Sequence, residues 1–209
     1  MDRAERLGNE KVLPLLIRFS VPAIIGMLVQ ALYNVVDRIF VGNGVGPLGL
    51  AGLTVSFPVM LVQMAFSMLI GLGATALISI RLGEGRQRDA EQIMSNALGL
   101  LILTSAALTV LGIVFLEPLL RLMGASDAIL PYARDYLSII LYGTIFQFIS
   151  FGLNHMIRAQ GNPKVAMATM LIGAITNIAL DPIFIYVFGW GVAGAAFATV
   201  LSHLVSSVW

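Results

Sequence analysis

The chain has 209 residues, of which 58% are apolar and 11% charged, with 12 basic against 11 acidic side chains. An ordinary soluble domain is about 25% charged, so too few charges are present to cover a water-facing surface. The same figures exclude a disordered chain and a dedicated nucleic-acid binder, and the lack of cysteine excludes a disulfide scaffold, a thiolate metal site and cysteine catalysis.

What remains is an all-α, polytopic membrane protein. A spanning helix needs about 20 mostly apolar residues, and the charge gaps predict six spans: about 13–41, 48–80, 90–114, 130–156, 163–187 and 192–209. No charged residue stands between Arg38 and Arg81, so a Gly/Pro-rich turn over 42–49 divides spans one and two. Both are longer than a perpendicular helix requires, which predicts tilt or kinks. Pro22 in span one and Pro58 in span two each remove a helix hydrogen bond. Asn162-Pro163 reads as the N-cap and first residue of span five. Gly189-Trp190-Gly191 reads as the turn before span six, with an indole suited to the interface. Span six stops at Trp209 without a basic flank, so the chain reads as a truncated piece of a longer protein.

Orientation follows from the basic residues. Arg3, Arg6, Lys11, Arg18, Arg81, Arg86, Arg88, Arg158 and Lys164 fall on one side, and Arg38, Arg121 and Arg134 on the other. That asymmetry places the N-terminus in the cytoplasm. The first span lacks a small-residue cleavage site and reads as uncleaved.

An aspartate at mid-helix costs about 2.5–3.5 kcal/mol to insert, so acids within spans are candidate functional groups. Asp181 is the only acidic residue of span five, and Asp37 lies near the outer end of span one. At about 1.5 Å per residue, Asp181 lies roughly 9 Å, Asp37 roughly 6 Å and Thr199 roughly 10 Å inside the outer boundary. Asn177 precedes Asp181 by one helical turn and shares its face. Asp37, Asn177, Asp181 and Thr199 thus offer oxygen ligands at similar depth. Oxygen suits a hard cation such as Na+, and two adjoining carboxyls can hold a proton between them. Pro182 cannot donate to the carbonyl of Ile178, which frees polar backbone beside the acid. The plainer alternatives are an interfacial ion pair of Asp37 with Arg38 and helix-packing roles for Asn177 and Thr199.

Gln30, Tyr33, Asn34 and Asp37 share one face of span one, which suits a wet cavity or helix-to-helix hydrogen bonding. His155 and His203 are expected at the cytoplasmic interface. The small-residue runs Gly71–Ala76 and Gly191–Ala196 are packing signals. Gly83-Glu84-Gly85 is a turn and not a phosphate loop, because no Gly-Lys-Ser/Thr follows.

Three stretches form a longer pattern: Ile157-Arg158-Ala159-Gln160-Gly161-Asn162-Pro163-Lys164, Asn177 through Ile185, and Gly189 through Thr199. Together with Ile78–Gly85 and the segment from Pro14 to Gly42, this resembles the multidrug and toxic compound extrusion (MATE) family over nearly the whole chain. The resemblance implies the N-terminal six-helix lobe, over residues 1–209, of a twelve-helix, two-lobe transporter whose C-terminal lobe is missing here. It implies a secondary active antiporter of the plasma membrane that exports cationic, amphipathic compounds for Na+ or H+, without a cofactor. It assigns the coupling ion to Asp37, Asn177, Asp181 and Thr199, cavity contacts to Gln30, Tyr33 and Asn154, and a helix hinge to Pro22. Partners would be membrane lipid, the small substrate, and the missing lobe or a second copy, but no nucleic acid. Two other readings stand beside it. A flippase for lipid-linked or polysaccharide substrates would lean on basic cavity residues. An intramembrane aspartyl protease usually shows Gly-x-Gly-Asp, whereas Asp37 follows Val35-Val36 and Asp181 follows Ala179-Leu180.

Overall fold

The computed structural model describes residues 12–209. Arg3, Arg6 and Lys11 lie outside the described residues, as does the side chain of Arg18. The described residues are helical, with no strand among them.

Helices α1 (Val12–Gly44) and α2 (Pro47–Gly83) have 33 and 37 residues. At about 1.5 Å per residue both exceed the ~30 Å hydrocarbon core, so they must tilt or project beyond it. Each helix is continuous through its proline, Pro22 or Pro58. The turn between them passes through Gly46 at φ 92°, a conformation that favours glycine. Helix α3 (Gln87–Val114) follows a polar turn in which Glu84 pairs with Arg81 at 2.8 Å and Arg86 at 3.5 Å, while Arg86 also pairs with Asp89. A short helix that the charge gaps did not reveal, α4 (Leu116–Leu122), follows α3. Leu116 and Leu120 are buried, and Arg121 ties α4 to Asp127 at 3.0 Å.

The stretch expected as one span over 130–156 is two helices, α5 (Leu130–Tyr142) and α6 (Thr144–Ala159), bent by 57°. The bend sits at Gly143. A Cβ there would meet Val200 Cγ2 at 2.3 Å, so the absent side chain lets the last helix approach. Thr144 Oγ1 donates to the Leu141 carbonyl at 2.7 Å and satisfies backbone at the break.

Helix α7 (Pro163–Pro182) begins with proline at its first position. Asn162 occupies the cap position but makes no side-chain cap bond, unlike the expected N-cap. Pro182 carries no N–H to continue the ladder. The chain widens there into one π-helical turn, Ile183–Val187, closed by the Phe188 N–H on the Ile183 carbonyl at 2.9 Å. Helix α8 (Gly191–Val208) follows. Trp190 stacks on Phe184, with centroids 5.3 Å apart and planes 16° apart.

Five single helices and the bent α5–α6 pair are each long and apolar enough to cross a membrane. Arg81, Arg86, Arg88, Arg158 and Lys164 mark a basic end of the bundle, and the α1–α2 turn and α4 mark the far end. Leu53, Leu120, Leu137, Ile140 and Ile185 form a core toward the far end, and Ile78, Leu101, Phe148 and Met156 form one toward the basic end. Large apolar side chains such as Leu28, Leu32, Leu69, Leu103 and Ile175 face outward, as lipid contact requires. Helix α2 packs on α3, α5 and α6, whereas α1 leans on α7 and barely touches α2. A cleft therefore opens between α1 and α2.

Candidate functional site

Helix α1 approaches α7 and the π-helical turn that follows it closely at two glycines. A Cβ on Gly26 would meet Met170 Sδ at 2.7 Å, and one on Gly44 would meet Ile185 Cγ2 at 2.5 Å. The Tyr186 hydroxyl donates to the Phe40 carbonyl at 3.0 Å. Between these contacts Asp37 faces Asp181, near enough for each carboxyl group to act on the other. Asp37 is 7% exposed and Asp181 is fully buried. Asn177 Nδ2 donates to both Asp181 Oδ1 and Thr199 Oγ1, each at 3.4 Å. The fold therefore brings Asp37, Asn177, Asp181 and Thr199 together from α1, α7 and α8.

Asp37 Oδ1, Asn177 Oδ1 and Asp181 Oδ2 are buried without a hydrogen-bond partner. Unpartnered buried oxygens are costly, and a bound proton or cation would relieve that cost. The set is all oxygen, which suits a hard monovalent cation. Among the described residues no three His, Cys, Asp or Glu side chains cluster, so the carboxylates are too few for a dedicated divalent-metal site.

Asp37 and Arg38 do not form the interfacial ion pair that was the plainer alternative. Asp37 turns inward, while Arg38 is exposed and lies over the Phe57 ring, 5.5 Å from its centroid. Among the described residues no carboxylate reaches ion-pair distance of Arg38.

The α1–α2 cleft has a volume of about 380 Å³. Gln30, Tyr33, Asn34 and Arg38 line one wall; Phe57, Met60 and Met64 line the other; Gln147, Phe151, Thr199 and His203 lie behind. Thr199 borders this cleft and also accepts the Asn177 bond, so it joins the acid cluster to the cleft. Gln30 Nε2 donates to the Tyr33 hydroxyl at 3.4 Å. Gln30, Tyr33 and Asn154 also border a smaller neighbouring pocket. The Asn154 amide is engaged there, donating to the Ala166 carbonyl at 2.7 Å and tying α6 to α7. Pro22 lies within continuous helix, nearer the basic end.

Two residues escaped the sequence reading. Tyr136 is buried on α5, close enough for charge on Asp37 and Asp181 to act on it. It lies six residues into α5, roughly 9 Å deep and level with Asp181, so depth arithmetic would have found it. The other is the place of His203 beside the cleft. His203 lies twelve residues into α8, roughly 18 Å along it, borders the cleft and meets Phe151 edge-on at 5.3 Å.

The chain matches known proteins along most of its length. A family model described as MatE matches residues 22–183. The probable multidrug resistance protein YoeA of Bacillus subtilis is 28% identical over 190 residues, 89% of this chain and 41% of that protein. A protein of Shewanella oneidensis named FAD transporter is 30% identical over 195 residues, 91% of this chain and 43% of that protein. The solved structure of the MATE multidrug transporter DinF-BH in complex with R6G superposes with a TM-score of 0.93 at 42% identity, covering 100% of this chain and 47% of that one. The chain thus spans less than half the length of the relatives it matches. On the family match, the identities and the shared helical fold, this chain belongs to the MATE family of multi-pass membrane transporters and is not an enzyme.

Proposed function

We propose that the complete protein is a secondary active antiporter that exports amphipathic small molecules in exchange for Na+ or H+. Residues 1–209 form one six-span lobe of it, with the N-terminus in the cytoplasm and the bundle in the plasma membrane. One observation carries this reading: two buried carboxyl groups with unpartnered oxygens stand directly behind a polar and aromatic cleft, and Thr199 joins the two.

Asp37, Asp181, Asn177 and Thr199 bind the ion, and Gln30, Tyr33 and Asn154 meet the cargo. Ion binding relieves the unpartnered oxygens and draws α1 against α7. Release lets α1 move, with Pro22 as its hinge. Cargo and ion are linked reciprocally through that equilibrium. Alternating access needs a second bundle, supplied by the rest of the protein or by a second copy.

Names among the relatives support small-molecule export: multidrug export protein MepA of Staphylococcus haemolyticus is one of them. A flippase for lipid-linked substrates would need several basic side chains in the cleft, and Arg38 stands there alone beside His203. The test is Asp181→Asn in the complete protein, reconstituted in proteoliposomes. Ion-driven dye export should fall by at least about 100-fold, the upper range of a typical coupling free energy, with insertion unchanged. Undiminished export refutes the assignment.

A further inference from the structure

Helix α7 changes its pitch directly after its acid. Pro182 follows Asp181, and the next five residues, Ile183–Val187, form the π-helical turn. A regular helix turns about 100° per residue, which would carry residue 186 about 140° around the axis from Asp181, away from the side that meets α1. A π turn closes its hydrogen bonds on the fifth residue and is wider. The added width brings Tyr186 back onto α1. Its hydroxyl donates to the Phe40 carbonyl at 3.0 Å, and its ring meets the Phe40 ring edge-on with centroids 6.1 Å apart. Asp37, Phe40, Val41 and Gly44 recur at helical spacing on one stripe of α1, and Val41 is fully buried. At Gly44 an added Cβ would meet both Ile185 Cγ2 at 2.5 Å and Tyr186 Cε1 at 2.7 Å, so helix and turn are in direct contact. Helix α8 backs the turn from behind. A Cβ on Gly194 would lie 2.8 Å from the Phe184 backbone, and the Trp190 N–H donates to the Phe184 carbonyl at 3.0 Å. The turn that begins one residue after Asp181 is thus braced by α8 and grips α1 one helical turn beyond Asp37.

We infer that Tyr186 is a positioning residue of the ion site: its hydroxyl on the Phe40 carbonyl, placed there by the π turn, holds α1 so that Asp37 meets Asp181, and thereby sets the affinity for the ion. This rests on the reading of the acid pair as the ion site. A tyrosine near a span end that served only as a membrane anchor would need neither a bond to α1 nor a glycine opposite its ring. Tyr33 and Arg38 on α1 and Tyr136 on α5 are the other ionisable groups near the pair, and Tyr186→Phe leaves all of them in place.

The test uses the complete protein in proteoliposomes. Export of rhodamine 6G is measured against Na+ at fixed pH, and against pH without Na+. Tyr186→Phe removes one hydroxyl and keeps the ring. It should raise the ion concentration for half-maximal export about fivefold, the scale of one net hydrogen bond, which for protons is a midpoint about 0.7 pH unit lower. Export at saturating ion should stay within about twofold. Gly44→Ala, which pushes the turn off α1, should move the midpoint in the same direction. Gln63→Leu, which loosens the opposite side of the bundle by removing the 2.8 Å bond to Thr144, should leave it unmoved. An unmoved midpoint in Tyr186→Phe overturns the inference, and so does a fall in maximal export without a shift, which is the mark of a purely structural role. An equal shift in Gln63→Leu also overturns it, because the midpoint would then report general loosening. Undiminished export by Asp181→Asn sinks the ion-site reading itself, which is distinguishable from an unmoved midpoint in Tyr186→Phe alone.

Discussion

The two sides of the lobe bury polar side chains in opposite ways. Between α2 and α5–α6, polar groups are mostly spent on one another. Gln63 Nε2 donates to Thr144 Oγ1 at 2.8 Å, Ser67 reaches the Phe148 carbonyl at 3.4 Å, and Ser56 bonds the Gly52 carbonyl at 2.8 Å. Among the described residues the Gln63 carbonyl oxygen and the Thr75 hydroxyl of α2 are left over on that side, neither of them a charged group. Between α1, α7 and α8 Asn177 makes two contacts of 3.4 Å, and three carboxyl or amide oxygens, two of them on aspartates, lack a donor. Satisfied polar groups inside a membrane bundle hold helices together. Unsatisfied ones are retained against their cost. The comparison separates a framework side from a working side of the same bundle.

Asp181→Asn tests this most severely. Beyond the loss of export, it should leave thermal stability in detergent within about 1 kcal/mol of the unaltered protein or above it, because an amide relieves charge crowding at a site that is not optimised for stability. A large loss of stability would mean that the acid pair is a framework element.

Gly194→Ala comes next and sharpens the picture of what holds the working side. A Cβ there would lie 2.8 Å from the backbone carbon and oxygen of Phe184, which cannot rotate away. Overpacking against backbone should cost about 1–3 kcal/mol, read as a lower Tm. Tolerance of alanine would show α8 to be loosely docked on the π-helical turn.

On the framework side, Gln63→Leu removes the donor to Thr144. Thr144 keeps its own bond to the Leu141 carbonyl, so the expected loss is only about 1 kcal/mol. Export per folded molecule should stay within about twofold, the reverse of the Asp181 result. A strong export defect at unchanged stability would erase the distinction between the sides.

Much of this arrangement was legible in the sequence, for physical reasons. Helices in lipid announce themselves through missing charge, so the apolar segments stood out. The four-residue spacing of Asn177 and Asp181 fixed a shared face, and depth placed Asp37 and Thr199 beside them. The break at Gly143 did not show, because a glycine in an apolar run is common and the reason for this one, Val200 on α8, is a tertiary contact. Helix α4 was hidden because Leu116–Leu122 is amphipathic and too short to span. Arg38 was counted as an interfacial charge because a sequence does not say that successive side chains, about 100° apart around a helix, divide between a buried cluster and an open cleft.

The smallest expected effect lies in the polar turn before α3, outside the spans. There the Arg81 guanidinium bonded to Glu84 holds the Glu84 carboxyl below its ordinary range, with Arg86 adding to the same direction. A folded-state pKa that is depressed gives stability that is present above the unfolded value, about 4.3 for glutamate, and lost as pH falls through the folded value. Between pH 7 and 5 the ion pairs should therefore contribute unchanged, and their loss should begin only below about pH 4. The groups are exposed, and salt screens exposed pairs, so Glu84→Gln should leave Tm unchanged at physiological ionic strength. A resolved drop in Tm below about pH 4 that Glu84→Gln removes would show this turn to be ordered more tightly than its exposure implies. The Asp37–Asp181 pair, shielded from solvent, has no such screening, so ionic strength should discriminate surface charge from buried charge within one molecule.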